Sequence, residues 1–547
     1  MARRPHPTAW SDTVYRKRVF GLFSWLLASA LAVADEPSTS PSAPAPVLQA
    51  LAGYCRMPAS FDAPARERLQ AFYGLNAWQP LWQPLTFDEL LEQLQLLADD
   101  GLNPALYGTD ALRQRLQTPP DEPLARECSD LLASHAYLLA LQHLRFGQLQ
   151  QSQHEPLWRS QQPLPATDQQ RLLEIAAIGL ARPEQAFDLA RPMLEQYRNL
   201  RMAHAHLAAG AQVEWPSLPV GPTLRPDMTD GRVPVLRERL LAEGYLAAEG
   251  ADEAYGELYT PALVTGVRAF QRAHGLQDDG LVGVGTLAEL NASAQQRLGQ
   301  VRINLERFRW FARDIEAQSL LVDITGGQLV FLRDYRPLWR TRTQVGKAAR
   351  QTPAMKSVIN RLTLNPTWTV PPTILREDKL PKIRRDPGYL DKHRMRVIDH
   401  QGNPLDPNTI DWSRPGGIML RQAAGPENPL GRVAIRFPNP FSVYLHDTPS
   451  QYLFGRTPRA FSSGCVRVEG AMQLIDLLLS EDERARVTEL LGRGETYEFR
   501  LSGRTPILMA YWTAEADGDG HVFFRPDIYG QDARLLKALD TAQRTAP

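Results

Sequence analysis

The spacing of hydrophobic residues changes near residue 311, and this change limits the folds that the chain can adopt. Upstream, apolar residues recur at helical spacing, as they do over residues 87–97 and 134–146. Downstream, apolar and polar residues alternate, which is typical of half-buried strands. The chain therefore predicts helical domains followed by a mainly β domain, a multidomain α+β fold. The first predicted strands are residues 319–324, 328–332 and 338–345.

The charge balance argues against a nucleic-acid partner. Lys and Arg together number 61, as do Asp and Glu, so no net field draws the chain toward a polyanion. The sequence also lacks the H-E-x-x-H and C-x-x-C spacings that often hold metal ions. With 547 residues, of which 43% are hydrophobic, the chain is long enough for several cores. We therefore expect several globular domains and neither a metal ion nor another cofactor.

The N-terminus has the pattern of an export signal. Basic residues cluster before an uncharged apolar run at residues 19–34. This run ends in Ala32-Val33-Ala34, a small-residue pattern that suits signal peptidase. It is slightly shorter than a membrane-spanning helix, so residues 1–34 are predicted to be a cleaved signal peptide or a membrane anchor. Both outcomes predict an exported protein, in which the Pro/Ser-rich residues 35–47 are a linker.

Export makes the odd number of cysteines informative. The three cysteines are Cys55, Cys128 and Cys465. An oxidising compartment favours a disulfide between two of them and leaves one free, reactive thiol. Cys55 and Cys128 lie in the same helical region and are the favoured pair, although the sequence does not give their separation. Cys465 is then the free thiol.

Turn and capping signals divide the exported part of the chain into domains. A compact unit of three helices is indicated where Thr260 and Pro261 supply an N-cap and a first helical residue. Leu263, Val267 and Phe270 then form one apolar helix face. The predicted domains are a helical scaffold domain over residues 48–230, the compact unit over 233–292, the mainly β domain over 300–502 and a C-terminal extension over 503–547.

The residues with catalytic chemistry lie late in the β domain. Residues 441–446 alternate as a strand, which places the odd-numbered side chains in the core and Tyr444 with His446 on the other face. Cys465 and Arg467 project to one side of a second predicted strand. A thiol becomes a good nucleophile at neutral pH with the help of a base or a cation, and both are present here. The sequence therefore predicts Cys465 as a nucleophile and His446 as its base.

The neighbours of Cys465 and His446 indicate how the site is completed. Gly464 permits close approach of a substrate, and the backbone N–H groups from Ser463 to Cys465 are placed to line an oxyanion hole. Asp447 follows His446 but points to the opposite face of the strand, so it is a doubtful third member of a catalytic triad. A backbone carbonyl is the alternative partner of the imidazole.

Two sets of motifs resemble known families. The run FQRAHGLQDDGLVGVGTLAEL, at residues 270–290, is similar to the three-helix peptidoglycan-binding module of cell-wall enzymes. His446, Ser463-Gly464-Cys465 and Arg467 resemble the signature of the L,D-transpeptidase (YkuD-type) catalytic domain. The runs YLHDTP and RAFSSGCVRV are similar to its large Gram-negative branch, the YcbB type. The common pattern has a second His where this sequence has Ser463, which leaves His446 as the base.

The resemblance implies the compartment, the fold and the reaction. For a Gram-negative protein, export leads to the periplasm, and an uncleaved N-terminus would be anchored in the inner membrane. The same resemblance implies a mainly β catalytic domain with a capping insertion at about residues 370–421. Cys465 would attack the third residue of a peptidoglycan tetrapeptide stem, release D-alanine and form 3→3 cross-links through a thioester, and carbapenems would acylate the same sulfur. Contacts to the substrate or the oxyanion would come from Tyr444, Ser462, Ser463, Gly464 and Arg467.

The sequence leaves the acceptor of the acyl group open. The same acyl-enzyme would serve an L,D-carboxypeptidase or endopeptidase that uses water, or a transpeptidase that attaches a lipoprotein. A non-catalytic wall-binding protein is disfavoured by the intact Cys, His and Arg. Residues 371–396 contain eight Lys or Arg against four acids, which suits a cap over stem peptides with free carboxylates. The expected partners are donor and acceptor stems and other wall synthases.

Overall fold

The computed structural model describes residues 45–160, 165–210, 214–247 and 256–544, and the chain divides into two units at residue 54. The described part of the first unit is the helix α1 (Ala45–Tyr54), which begins inside the predicted linker. The predicted signal peptide or anchor over residues 1–34 lies outside the described residues. Across the described ranges, no helix is long and apolar enough to cross a membrane.

The second unit begins with the helical region that the 3.6-residue periodicity predicted. Its elements are α2 (Ala63–Leu75), α3 (Pro84–Leu96), α4 (Thr109–Gln117), α5 (Pro123–Phe146), α6 (Gln151–His154), β1 (Trp158–Arg159), α7 (Pro165–Gly179), α8 (Pro183–Ala190) and α9 (Glu195–Gly210). The side chain of Asp62 caps α2 by accepting a hydrogen bond from the N–H of Ala65 at 2.9 Å. A disulfide joins Cys55, which precedes α2, to Cys128 in α5, which is the pair that the sequence favoured.

The compact unit has the three expected helices, α10 (Val233–Ala242), α11 (Pro261–Ala273) and α12 (Val284–Leu290). Thr260 caps α11, as predicted, by accepting a hydrogen bond from the N–H of Leu263. The core of this unit also includes Leu218 and Leu224, which precede the predicted boundary at residue 230. Isolated leucines in a loop show no periodicity, and only their burial assigns them to this core. The helix α13 (Ala294–Phe311) then leads to the β domain.

The β domain is built on one ten-stranded sheet, whose members besides β1 are β2 (Ser319–Asp323), β3 (Gln328–Arg333), β4 (Arg336–Gly346), β5 (Met355–Leu364), β10 (Val433–Arg436), β11 (Leu445–His446), β12 (Ala460–Ser462), β13 (Val466–Val468) and β14 (Tyr497–Ala510). The order is β5-β10-β11-β13-β4-β3-β2-β14, and β14 also pairs with β5. The sheet therefore closes on itself, which leaves few unpaired edges. The three strands predicted at residues 319–345 are confirmed.

The strand predicted at residues 441–446 is shorter than expected. Only Leu445 and His446 belong to β11, and Phe441, predicted to lie in the core, is 46% exposed. The side-chain oxygen of Asn439 accepts hydrogen bonds from the N–H groups of Phe441 and Val443, both at 3.1 Å. Because these bonds curl the chain into a loop, the alternation of residue types does not correspond to an extended strand here.

The predicted cap is a small subdomain with its own sheet and core. Its strands are β6 (Trp368–Thr369), β7 (Met395–Ile398), β8 (Pro404–Leu405) and β9 (Met419–Gln422), in the order β6-β9-β7-β8. Its helices are α14 (Pro372–Ile374), a π-helix over Leu375–Lys379, α15 (Leu380–Arg385) and α16 (Tyr389–Lys392). Val370, Ile383 and Leu420 are among its buried residues.

The C-terminal part of the chain belongs to the β domain more closely than the sequence predicted. Its remaining elements are α17 (Ala471–Leu478), α18 (Glu481–Gly492), β15 (Ala514–Ala516), β16 (Val522–Phe524) and α19 (Asp532–Arg544). The boundary predicted at residue 502 is wrong because it falls inside β14, which pairs with β2 through its second half. A polar stretch near residue 502 looks like a linker in sequence, but it is a bulge in β14.

A completely buried arginine joins three parts of this unit. The guanidinium of Arg307, in α13, donates to the carboxylate of Glu155 at 2.6–3.1 Å and is paired with Asp532 of α19 at 2.8 Å. It also lies over the ring of Tyr511, 5.1 Å from the ring centroid. A buried charge is tolerated only when it is paired, so these contacts hold the helical region and α19 against α13.

Candidate active site

The predicted catalytic residues lie where two short parallel strands pair in the sheet. In the register of β11 and β13, Leu445 is opposite Val466 and His446 is opposite Arg467. The N–H of Val466 donates to the carbonyl of Tyr444 at 3.1 Å. The residue that precedes β13 therefore lies beside Tyr444, at the end of β11.

That residue is Cys465, a free and partly buried thiol. Its Sγ donates a hydrogen bond to the carbonyl of Ser442 at 3.8 Å. Burial raises the pKa of the Cys465 thiol, while the backbone N–H of Tyr444 and the positive charge of Arg436 act in the opposite direction. The thiol consequently keeps its proton at neutral pH and needs a base before it can attack a carbonyl.

His446 is buried, and the backbone holds one of its ring nitrogens. Nδ1 lies 2.5 Å from the carbonyl oxygen of Asp447. Since a carbonyl only accepts hydrogen bonds, Nδ1 carries the proton and Nε2 keeps a lone pair in the neutral ring. Burial, and then the charge of Arg467, lowers the pKa of His446 to about 3. The imidazole is therefore neutral at neutral pH, which is the form that accepts a proton.

The carboxylate of Asp447 does not contribute to a catalytic triad. Its Oδ2 accepts a hydrogen bond from the N–H of Arg432 at 2.9 Å, away from the imidazole. The partner of the imidazole is instead the backbone carbonyl of the same residue. This arrangement is the alternative that the sequence indicated.

Tyr444 lies close to both the thiol and the imidazole. Its ring centroid is 5.7 Å from that of His446, and its pKa is raised by burial and then by the proximity of Cys465. Among the described residues, no hydrogen bond links Cys465 directly to His446. The hydrogen bond from the sulfur goes instead to the carbonyl of Ser442.

Sequence reasoning missed one cation of the site, Arg436 at the end of β10. Its guanidinium carbon lies 3.9 Å from the centroid of the Tyr444 ring, and its Nε donates to Thr363 Oγ1 at 3.2 Å. Its charge lowers the pKa of the Cys465 thiol. The signal in the sequence is weak, because one charged residue after a short apolar run is most often a solvated strand end.

Arg467 reaches the site through its charge. Its guanidinium donates to Gln344 Oε1 at 3.0 Å, and the positive charge lowers the pKa values of both Cys465 and His446. Burial lowers the pKa of Arg467 itself, and the adjacent thiol acts in the opposite direction. Arg467 thus favours a thiolate beside a neutral imidazole, although it forms no direct hydrogen bond with either.

The loop before Cys465 has a conformation that requires glycine. Gly464 has φ +113°, and the carbonyl of Gln351 lies 3.4 Å from where a Cβ would stand. Ser462 Oγ donates to the carbonyl of Cys465 at 2.5 Å and accepts the N–H of Gly464 at 3.1 Å. Because that N–H is already used, it is not free to bind an oxyanion, unlike the N–H groups expected of Ser463 and Cys465.

A distant segment, residues 347–352, forms the wall beside this loop. Thr352 Oγ1 donates to the carbonyl of Gly464 at 2.8 Å, and the N–H of Lys347 donates to the carbonyl of Ser462 at 3.0 Å. Arg350 NH1 donates to Ser463 Oγ at 2.9 Å. Sequence reasoning did not single out this segment, since its role depends on the pairing of β4 with β12 and β13.

One group of side chains within the described ranges has the spacing of a metal site. Asp517, Asp519 and His521 lie on the turn between β15 and β16, with ligand atoms within 4.8 Å of one another. One carboxylate oxygen of Asp517 already accepts the N–H groups of Asp519 and His521. The turn itself accounts for this cluster.

A partly buried thiol, a neutral imidazole on the neighbouring strand and N–H donors beside the sulfur define a cysteine acyl-transfer site. Residues 317–489 match the family model of the L,D-transpeptidase catalytic domain (YkuD). Residues 67–203 match the Scaffold domain, and residues 229–290 match the “Putative peptidoglycan binding domain”. The chain therefore carries a YkuD L,D-transpeptidase catalytic domain with scaffold and peptidoglycan-binding domains, consistent with the YcbB type.

A protein of Haemophilus influenzae named “Putative L,D-transpeptidase” is 37% identical over 222 residues. The matched region is 40% of this chain and 45% of that protein, so the chain spans less than half the length of this relative.

Two solved structures of L,D-transpeptidases are also similar. The protein from Mycobacterium smegmatis is 15% identical, with a TM-score of 0.16, over 36% of this chain and 58% of its own. The protein from Xylanimonas cellulosilytica is 17% identical, with a TM-score of 0.16, over 53% of this chain and 99% of its own. At these scores the assignment depends on the family models.

Proposed function

We propose that this protein is a periplasmic L,D-transpeptidase that forms 3→3 cross-links in peptidoglycan. The observation that carries the proposal is the pair of strands β11 and β13, which brings a protonated thiol next to a buried, neutral imidazole with a lone pair on Nε2. The matches to a catalytic domain and to a peptidoglycan-binding domain in one chain support a wall substrate.

In the first half-reaction, Cys465 Sγ attacks the carbonyl of the third residue of a tetrapeptide stem. His446 Nε2 takes the thiol proton, and the developing oxyanion receives hydrogen bonds from the N–H groups of Ser463 and Cys465. The peptide C–N bond then breaks. The proton passes from His446 to the leaving amine, D-alanine departs and a thioester remains on Cys465.

In the second half-reaction, the side-chain amine of a third residue on a neighbouring stem attacks the thioester. His446 takes a proton from this amine, the C–S bond breaks and the proton returns to the sulfur. The product is an amide between two third residues. Tyr444 and Arg467 keep the electrostatic environment of the thiol suited to both steps, because each lies close enough to change its pKa.

The test is to incubate the purified protein with tetrapeptide-containing muropeptides and to identify the products by mass. A dimer linked through two third residues, together with free D-alanine, is the expected result. Tripeptide without dimer would assign the protein as a carboxypeptidase that uses water. Cys465→Ala should abolish all products and covalent capture of carbapenems.

The role of His446 is tested with a matched control. His446→Gln should slow acylation by about 10²–10⁴-fold, which is the usual contribution of general-base assistance. His204→Gln removes another buried histidine, whose pKa burial lowers to about 4, and should leave acylation unchanged. Equal losses in the two variants would show that the effect is structural and would refute His446 as the base.

A further inference from the structure

The cap is fastened to the active site by one arginine. Arg350 follows β4 on the wall segment 347–352, and only 11% of its side chain is exposed. Its NH1 donates to Asp378 Oδ2 at 2.6 Å, and its NH2 donates to Glu377 Oε2 at 2.6 Å and to Asp378 Oδ1 at 3.1 Å. Both acids lie on the π-helix of the cap, so the cap supplies the carboxylates that accept hydrogen bonds from this guanidinium.

The same guanidinium contacts the loop that carries the nucleophile. Arg350 NH1 donates to Ser463 Oγ at 2.9 Å, and Ser463 is two residues before Cys465. Two residues of extended chain span at most about 7 Å, so this cation borders the loop that carries the sulfur. Ser463 is exposed, and the two acids are about half exposed, which leaves the position accessible from solvent.

The two cap carboxylates show what this position binds. A guanidinium presents paired N–H groups that match a carboxylate, and such charge-assisted bonds are among the stronger ones in proteins. The pKa values of Glu377 and Asp378 are lowered, first of all by these hydrogen bonds to Arg350. Both acids are therefore ionised at neutral pH and fill a site built for carboxylate oxygens.

The donor of the proposed reaction carries a carboxylate close to the bond that is broken. In a tetrapeptide stem, the carboxylate of the terminal D-alanine is three bonds from the carbonyl that Cys465 attacks. When that carbonyl is against the sulfur, the carboxylate is a few ångströms from it, on the same loop region that the guanidinium of Arg350 borders through Ser463. No lysine could reproduce the planar pair of donors at this position.

We propose that Arg350 is the specificity-determining residue for the donor, and that it exchanges the carboxylates of Glu377 and Asp378 for the terminal carboxylate of the stem. The inference rests on the proposed function, because it names the group on the donor that the site recognises. The cap acids then act as internal competitors that are displaced when a stem with a free carboxylate binds. Donors without that carboxylate do not displace them.

The test compares two synthetic tetrapeptide donors, one with the free terminal carboxylate and one with a terminal carboxamide. Formation of the acyl-enzyme is followed by intact-protein mass, and KM and the maximal rate are measured separately. Arg350→Gln should raise KM for the free acid by tenfold or more and change it less than twofold for the carboxamide. Arg350→Lys should recover only part of the loss.

Variants of the cap distinguish an Arg350 that exchanges the cap carboxylates for the donor carboxylate from an Arg350 that only holds the cap in place. Glu377→Gln combined with Asp378→Asn removes the competitors, so KM for the free acid should fall or stay unchanged. Arg376→Gln is the matched control, because Arg376 also donates to Glu377, at 3.1 Å, but forms no contact with Ser463. This control should leave KM for both donors unchanged.

Four results would overturn the inference. Equal effects of Arg350→Gln on both donors would make Arg350 a structural fastener of the cap, as would a rise in KM in the double cap variant. If the wild-type protein forms no acyl-enzyme with either donor while Cys465 still reacts with an alkylating agent, the proposed function fails and the inference fails with it. If the wild type forms the acyl-enzyme and Arg350→Gln does not change KM for the free acid, only the inference is refuted.

Discussion

Replacing Arg436 tests whether its positive charge lowers the pKa of the Cys465 thiol. In Arg436→Gln, the charge that opposes the effect of burial on the Cys465 thiol is removed, while a polar side chain of similar length remains. We expect the pKa of the thiol to rise. The plot of the iodoacetamide reaction rate against pH should then keep its wild-type shape and shift to higher pH.

The position and exposure of Arg436 indicate how strongly its charge acts on the thiol pKa. A charge within about 4–6 Å commonly changes a pKa by 1–3. Arg436 adjoins the Tyr444 ring beside the thiol, but it is partly exposed and water screens its charge, so we take the lower end. We therefore expect roughly tenfold less thiolate at any pH below the pKa, which corresponds to about 1.4 kcal/mol.

The disulfide makes the assay specific, and a neighbouring arginine supplies the control. Because Cys55 and Cys128 are bonded to each other, alkylation without reductant reports on Cys465. Arg361 is opposite Arg436 in the register of β5 and β10, but its side chain is 55% exposed and is paired with a glutamate. Arg361→Gln should leave the pH profile unchanged. An unchanged profile in Arg436→Gln, or equal displacement in both variants, would refute the reasoning.

Three further predictions concern stability. The disulfide closes a loop with a sequence separation of 73, so Cys55→Ser combined with Cys128→Ser should lower the free energy of unfolding of the helical region by about 4 kcal/mol, measured by urea titration; a loss below about 1 kcal/mol would contradict this. Glu155→Gln leaves Arg307 buried without one of its carboxylates and should cost about 3–5 kcal/mol, seen as a lower Tm, whereas an unchanged Tm would show that the ion pair is not needed. Burial lowers the pKa of His135 from 6.5 to about 4. The neutral ring therefore contributes fully to the free energy of unfolding above pH 6.5, and this contribution decreases by about 3 kcal/mol as the pH falls toward 4. His135→Gln should flatten this part of the profile of stability against pH, and an unaltered slope would exclude the histidine as the cause.

Local patterns were sufficient for much of the fold. The helical periodicity, the cap at Thr260 and the alternation at residues 319–345 each concern neighbouring residues, and the structure has the corresponding elements. The pairing of Cys55 with Cys128 followed from the compartment and from the number of cysteines rather than from geometry. Domain boundaries were less accurate, because Leu218 is assigned by the core that it joins.

The candidate site divides in the same way. The spacing of His446, Gly464 and Cys465 was visible in the sequence, because the short-range order of a motif is itself local. The sequence left two partners open for the imidazole, the carboxylate of Asp447 and a backbone carbonyl. The direction of a side chain at the end of a two-residue strand depends on the loop that follows, so only the structure identifies the carbonyl of Asp447.

The sequence alone is enough to predict the class of domain, the free thiol and the residues that accompany it in the motif. Only the tertiary structure placed Arg436 against Tyr444 and Arg350 between the cap and Ser463. The physical reason is that electrostatic and hydrogen-bond contacts act over a few ångströms in space, whereas Arg350 and Ser463 are separated by 113 positions along the chain. Strand pairing brings such segments together, and no local pattern of residue types records which partners will meet.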